Sequence, residues 1–168
     1  MRTHTTVDSP LGPLTLVAED GAVAGVYQDG QRHLPPAAAL GARDDGALPA
    51  LREQLAAYFS GALRAFDVPL APAGTPFQAR VWAALREVPY GATCTYGDLA
   101  AAVGSPRAVR AVGAANGRNP VCIVVPCHRV VGAGGALTGY AGGLAHKRYL
   151  LDLERRGAQA GAAPAPAS

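Results

Sequence analysis

The chain ends one helix and begins another across Gly104-Ser105-Pro106, and this junction restricts the fold more than any other feature. Upstream, Thr95 is placed to cap a short helix through Ala102, with Gly104 to stop it. Downstream, Ser105-Pro106 is a helix start, because proline suits the first turn. Two helices joined by so tight a turn are the organisation of a helix-turn-helix. At about 3.6 residues per turn, the second helix turns Val109, Val112 and Gly113 one way and Arg107, Arg110, Ala111 and Ala114 the other. A solvated face usually carries long polar side chains. Here only alanines accompany the arginines, so the helix can lie close to a partner's backbone. An inexpensive Ala-rich helix in an Ala-rich chain gives the same pattern.

The remaining elements place this unit in the second half of an α+β chain. Thr3–Val7, Pro13–Glu19 and Ala22–Gln28 are short β-type runs separated by turn residues, which predicts a small antiparallel sheet. Residues 29–47 read as a loop. Leu51, Leu55, Tyr58 and Phe59 share a helical face with Gly61 placed to end the helix, and Phe66–Leu70 reads as a further strand. Thr75-Pro76-Phe77-Gln78 is a capping box with proline at the first helical position. Phe77, Val81, Ala84, Leu85 and Val88 form the expected buried stripe of that helix. The predicted organisation is an N-terminal α/β domain over 1–70, a linker over 71–74, a mainly helical domain over 75–156 and a disordered Ala/Pro/Gly-rich tail over 157–168.

Charge divides along the same line. Residues 1–74 carry five arginines against eight carboxylates, whereas residues 75–155 carry nine basic residues against four carboxylates. The second half is therefore the half suited to a polyanion, although a solvated surface gives a surplus of this size too. Fourteen of the fifteen basic residues are arginine, which base composition of the genome explains as well as function does. No apolar run is long enough to span a membrane, and the N-terminus lacks the apolar stretch of a secretory signal. Cys94, Cys122 and Cys127 are odd in number and lack C-x-x-C spacing. They read as reduced thiols of a cytoplasmic protein, with no disulfide framework and no metal site.

One of those thiols is unusual. Cys127 lies in the run Ile123-Val124-Val125-Pro126-Cys127-His128-Arg129-Val130-Val131. Proline breaks regular structure immediately before it, and two polar side chains follow in an otherwise apolar stretch, which is costly unless each has a partner or a task. A rigid, partly dry turn suits a positioned nucleophile. Packing alone is the competing reading, since free cysteine is commonly buried.

Taken together, these residues resemble the O6-alkylguanine–DNA alkyltransferases. The resemblance is specific from Thr75 to Glu154 and looser before that. It rests on Phe77-Gln78-Ala79-Arg80-Val81-Trp82, Tyr96-Gly97-Asp98-Leu99-Ala100, Arg110-Ala111-Val112-Gly113, Asn119-Pro120, Ile123–Val131, Gly139–Leu144 and Leu150–Glu154, in that order. It implies a ribonuclease H-like N-terminal domain followed by a winged helix-turn-helix domain. It also implies irreversible, single-turnover transfer of the alkyl group from O6-alkylguanine, and from O4-alkylthymine, to Cys127. The implied partner is double-stranded DNA containing the lesion, gripped through the minor groove with the nucleotide flipped out. The protein is expected to be a monomer in solution, able to cluster on DNA, and to use no cofactor.

The resemblance also assigns roles. His128 is implied as the base acting through a water, with Glu154 orienting the imidazole. Tyr96 is implied to hydrogen-bond the base ring, and Asn119 to brace the helix-turn-helix against the active-site segment. Backbone groups at Cys127, Val130, Ala141 and Gly142 read the base, and Tyr140 walls the pocket. Arg110 fills the space the nucleotide leaves. Ala111, Ala114, Thr95, Arg107 and Arg129 complete the DNA contacts. His4, His33 and His146 match no role and read as surface residues, and Cys94 and Cys122 as packing residues. No cysteine precedes Cys94, so the metal-binding module of some relatives is not expected. Two other functions fit parts of the pattern: a lesion-binding relative that transfers nothing, and a Cys-His-Glu hydrolase.

Overall fold

A computed structural model describes residues 1–162. It opens with β1 (Arg2–Val7), β2 (Leu14–Glu19) and β3 (Ala22–Gln28), joined as antiparallel neighbours. A two-residue strand β4 (Ala42–Arg43) pairs parallel with β1, giving the order β3-β2-β1-β4. The 29–47 stretch thus contributes this short strand and a 3₁₀ turn at Ala37–Leu40 besides its loop. Helix α1 (Pro49–Phe59) follows, with Leu51, Leu55 and Tyr58 buried and Gly61 at φ +86° just beyond its end.

The strand expected at Phe66–Leu70 does not form. The segment makes a single bridge between Leu70 and Val23, through Val23 N to Pro69 O and Ala71 N to Val23 O, both 2.8 Å. Pro69 lacks the N–H that would extend the ladder. The same strand β3 then receives residues from the second half: Val26 bridges Val121, with Val26 N donating to Pro120 O at 2.9 Å. The active-site segment is therefore fixed on the open edge of the N-terminal sheet. One buried apolar cluster joins both halves, from Leu14, Leu16 and Val26 to Val81, Leu99, Val121, Ile123 and Leu150.

Helix α2 (Pro76–Leu85) begins with the full capping box of Thr75 and Gln78. Its buried side is Val81, Trp82 and Leu85; Trp82, absent from the expected stripe, is anchored by Nε1–H to Ala115 O at 2.9 Å. Strand β5 (Cys94–Thr95) leads into α3 (Tyr96–Ala102), which Thr95 and Asp98 cap reciprocally. Gly104 at φ +77° ends the unit.

Helix α4 (Val109–Gly117) starts later than Ser105-Pro106 suggested. Ser105 O accepts Ala108 N in a turn, so Arg107 belongs to the turn instead of the helix. The buried side of α4 is Val112, Ala115 and Asn116, and Val109, expected inside, is exposed. The 3₁₀ turn Cys127–Arg129 and β6 (Val130–Val131) follow, β6 pairing parallel with β5.

The last helix, α5 (Leu144–Ala162), corrects the expected tail. It continues through residues 157–162, while the rest of the expected disordered tail, 163–168, lies outside the described residues. Alanine favours the continuation, and the added turn is held: Arg64 Nη2 donates to Gly157 O at 2.6 Å. A Cβ at Gly157 would stand 2.1 Å from the Tyr90 hydroxyl, so glycine is required for this approach.

Candidate active site

The segment before Cys127 is a pair of tight turns. Val124 N donates to Cys122 O and Cys127 N to Val125 O, both at 2.8 Å. The first turn forces Ile123 to φ +74°, a conformation that costs a β-branched residue on the order of 1–3 kcal/mol. Asn119 pays that strain back in hydrogen bonds. Its Nδ2 donates to Val125 O at 2.8 Å, and its Oδ1 accepts Val121 N at 3.0 Å. From α4, Asn116 Nδ2 reaches Cys127 O at 3.5 Å. Asn116 carries no role in the sequence reading; its position beside Asn119, at the end of the helix, is the signal that would find it.

Behind the thiol, the hydrogen bonds converge on one carboxylate. His128 Nε2 lies 2.7 Å from Glu154 Oε2, and the two side chains are 0% and 1% exposed. Arg129 donates Nε to Oε1 at 2.7 Å and Nη2 to Oε2 at 2.9 Å, and its Nη1 bonds Val88 O. Tyr58 OH, on α1, donates to Oε2 at 2.6 Å. Burial pushes the Glu154 carboxyl up, but the His128 and Arg129 bonds and charges outweigh it and leave the group at about 2.

Glu154 is thus ionised and can only accept, so the His128 Nε2 must carry hydrogen. Burial lowers the His128 pKa against the pull of Glu154, so the ring is neutral near pH 7. Its Nδ1 makes no hydrogen bond to the described residues and keeps a basic lone pair. The expectation that Arg129 faces DNA is corrected: its guanidinium is turned inward and spent on Glu154 and Val88 O. Tyr58 is the residue sequence reasoning left as packing alone, because nothing local marks its hydroxyl.

The thiol itself is poised. Cys127 is 2% exposed, and its pKa is lowered chiefly by the neighbouring Cys122 thiol, with help from the Asn119 amide and the Lys147 charge, against the effect of burial. Cys122 is pushed up in return. Lys147 is fully buried, its Nζ bonded to the carbonyls of Val130 and Thr138, and burial lowers its pKa. The sequence did offer a signal for it: Lys147 is the single lysine in a chain of arginines.

Asn116 also lines a cleft of about 340 Å³ between α4 and the residues Gly139–Ala141. Tyr96, Gly113, Ala114, Tyr140 and Ala141 line it, with Arg32 and His33 at its N-terminal wall. Tyr96 OH donates to Thr138 O at 3.2 Å. Of the residues expected to read the base, Ala141 lines this cleft, its O accepting Arg32 N at 2.9 Å, whereas Val130 is buried in β6 with its O bonded to Lys147. Arg110, Ala111 and Ala114 are exposed on α4, as is Arg107 in the preceding turn. The Thr95 hydroxyl accepts Asp98 N at the start of α3. His146 is not a free surface residue: its Nδ1 lies 2.6 Å from Gln28 Oε1. Among the described residues no group of three His, Cys, Asp or Glu side chains is placed to hold a metal, and no helix is long and apolar enough to cross a membrane.

A helix-turn-helix unit followed by a buried cysteine, itself backed by a His–Glu pair, defines a cysteine-dependent protein with a face suited to a polyanion. Comparison with known proteins makes this specific. Residues 76–156 match the 6-O-methylguanine DNA methyltransferase, DNA binding domain, and residues 3–72 its ribonuclease-like domain. A methylated-DNA–protein-cysteine methyltransferase of Mycobacterium bovis is 48% identical over 163 residues, covering 94% of each chain. One from Methanosarcina acetivorans is 49% identical over 148 residues, covering 88% of this chain and 94% of that protein. The crystal structure of Mycobacterium tuberculosis OGT in complex with DNA superposes with a TM-score of 0.87 at 48% identity, covering 92% of this chain and 94% of that one. The chain belongs to the 6-O-methylguanine DNA methyltransferase family.

Proposed function

We propose that the protein repairs DNA directly, by moving the alkyl group of O6-alkylguanine onto Cys127, and that O4-alkylthymine is a second substrate. The observation that carries this is the 3₁₀ turn that sets the Cys127 thiol beside His128, itself bonded to the ionised Glu154 at 2.7 Å, with Asn116 linking Cys127 O to the cleft along α4. His128 Nδ1 takes the thiol proton through a water, and the thiolate is the competent nucleophile. Sulfur attacks the alkyl carbon in line; the S–C bond forms as the C–O6 bond breaks. The electron pair stays on guanine, which takes up a proton with Tyr96 as the donor or hydrogen-bond partner. The thioether that results is not hydrolysed by water, so each molecule acts once.

The target atom is out of reach in a stacked duplex, so the nucleotide leaves the stack. Arg110 enters the gap while Ala111 and Ala114 let α4 lie in the minor groove, about 6 Å wide in undistorted DNA. Arg107, with Thr95 at the start of α3, contacts the flanking backbone. Tyr140 walls the alkyl pocket, and the backbone of Cys127, Val130, Ala141 and Gly142 reads the base. Domain boundaries at 70–75 and a monomer acting on double-stranded DNA complete this reading.

The test is an intact mass after incubation with duplex DNA carrying O6-methylguanine. A single methyl adduct mapping to Cys127, absent in Cys127→Ser, is the expected result. Tight binding with no adduct would instead make the protein a lesion-binding relative, and repeated turnover a hydrolase.

A further inference from the structure

The turn Tyr140–Gly143 is joined to the N-terminal sheet by a side chain that has no part in the chemistry above. Gln28, the last residue of β3, is fully buried. Its Nε2 donates to Tyr140 OH at 2.6 Å, and its Oε1 lies 2.6 Å from His146 Nδ1 on α5. Both ends of one amide are thus used, one on the wall of the alkyl pocket and one on the helix that carries Glu154. Because Nε2 is the donor to Tyr140, Oε1 is the acceptor, and His146 Nδ1 bears hydrogen.

A second feature of the turn points the same way. A Cβ built on Gly142 would stand 2.1 Å from Gln28 Oε1 and 2.9 Å from the Tyr140 ring. Gly142 therefore leaves room for the amide, with no side chain of its own between Gln28 and Tyr140. Arg32 N, four residues after Gln28, donates to Ala141 O at 2.9 Å and fixes the next peptide of the turn. A buried amide with unmet bonding capacity is costly, so Gln28, Tyr140 and His146 hold one another in a single arrangement.

We infer that Gln28 is a positioning residue for the alkyl pocket, through which the N-terminal domain sets the size of alkyl group that Cys127 accepts. The inference rests on the proposed transfer to Cys127 and on Tyr140 as the pocket wall. With the amide in place the wall is fixed and a methyl group is well held. Without it the Tyr140 ring gains freedom, so a bulky group enters more readily and a methyl group is aimed less well.

The test compares single-turnover transfer of a methyl and a benzyl group from guanine O6 in the same duplex. Gln28→Leu keeps the volume and loses both bonds; Tyr140→Phe keeps the ring and loses one. Each is expected to raise the benzyl-to-methyl rate ratio about tenfold, and the double variant no further than either alone, as for residues coupled by direct contact. Gln28→Glu, whose carboxylate accepts from both Tyr140 OH and His146, is expected to keep the ratio near that of the parent. A purely structural role lowers both rates together and leaves the ratio unchanged, which overturns the inference. Additive effects of Gln28→Leu and Tyr140→Phe overturn it too. If Gln28→Leu does not fold, Tyr140→Phe against Gln28→Glu reads the same bond. Failure of the parent protein itself to take up either group strikes the proposed function instead.

Discussion

Arg129 and Glu154 form a two-point ion pair, Nε to Oε1 at 2.7 Å and Nη2 to Oε2 at 2.9 Å, in which the carboxylate is 1% exposed. The pair does two things for the site. It keeps Glu154 ionised where burial alone would neutralise it, and it fixes the plane of the carboxylate that His128 leans on. The adjacency of His128 and Arg129 in sequence is what allows both to reach one acceptor: the 3₁₀ turn Cys127–Arg129 carries the thiol and both of these side chains.

Arg129→Met leaves that carboxylate buried without its cation. The expected loss of stability is about 3–5 kcal/mol, read from urea unfolding, and the expected change in the salt dependence of DNA binding by the folded protein is none. If the variant unfolds normally but its log–log salt slope drops by about one, Arg129 is instead a phosphate contact.

Acid should unfold the protein through the same cluster. The Glu154 carboxyl sits at about 2 in the fold against an ordinary 4.5. Between those values the unfolded chain holds a proton that the folded chain does not, so stability rises with pH. The contribution is complete above about 4.5, is lost as pH falls through about 2, and is on the order of 3 kcal/mol. His128 acts with the same sign. Its pKa is depressed below 6.5, so the unfolded chain protonates first and stability starts to fall below pH 6.5. Unfolding free energy measured from about pH 8 to pH 3 should decline in these overlapping steps, and Glu154→Gln should remove the lower one. A level profile in the parent protein contradicts both assignments.

Much of this was legible before the structure, for local reasons. Capping boxes at Thr75 and Thr95 are written in consecutive residues, as are the alternating strands Thr3–Val7 and Ala22–Gln28, and the structure places elements there. What the sequence did not disclose is long-range. Tyr58 meets Glu154 across 96 residues and Gln28 meets Tyr140 across 112, and no local pattern carries such pairings. Arg129 illustrates the same limit: the resemblance implied a DNA contact, and the partner that it finds instead, Glu154, lies 25 residues away. The late start of α4 is a smaller case, in which Ser105-Pro106 begins a turn that looks, residue by residue, like a helix.

Cys122 offers a direct test of thiol activation. Its sulfur lies 3.8 Å from Gln31 Oε1 and from Asn119 O, two acceptors for its hydrogen. Removing it takes away the largest influence that lowers the Cys127 pKa, leaving burial opposed by Asn119, Lys147 and a backbone N–H. Cys122→Ala should therefore move the alkaline rise of the transfer rate to higher pH and slow transfer near pH 7 by about two- to fivefold, since the thiolate is the nucleophile. An unchanged pH–rate profile would show that Cys127 owes its reactivity to His128 without help from its neighbour.

Arg110 separates flipping from chemistry. It stands exposed on α4, on the side away from Val112 and Asn116, and takes no part in the bonds around Cys127. If it occupies the place of the everted nucleotide, its loss removes a stabilisation that exists only in a duplex. Arg110→Ala should lower the transfer rate from O6-methylguanine in duplex DNA by about 10–100-fold, the value of a few kcal/mol of unstacking. Transfer from the free alkylated base, which has no stack to leave, should fall much less. Rates measured on both substrates give the answer as a ratio. Equal losses would mean that Arg110 shapes the pocket or the fold, and that some other side chain holds the duplex open.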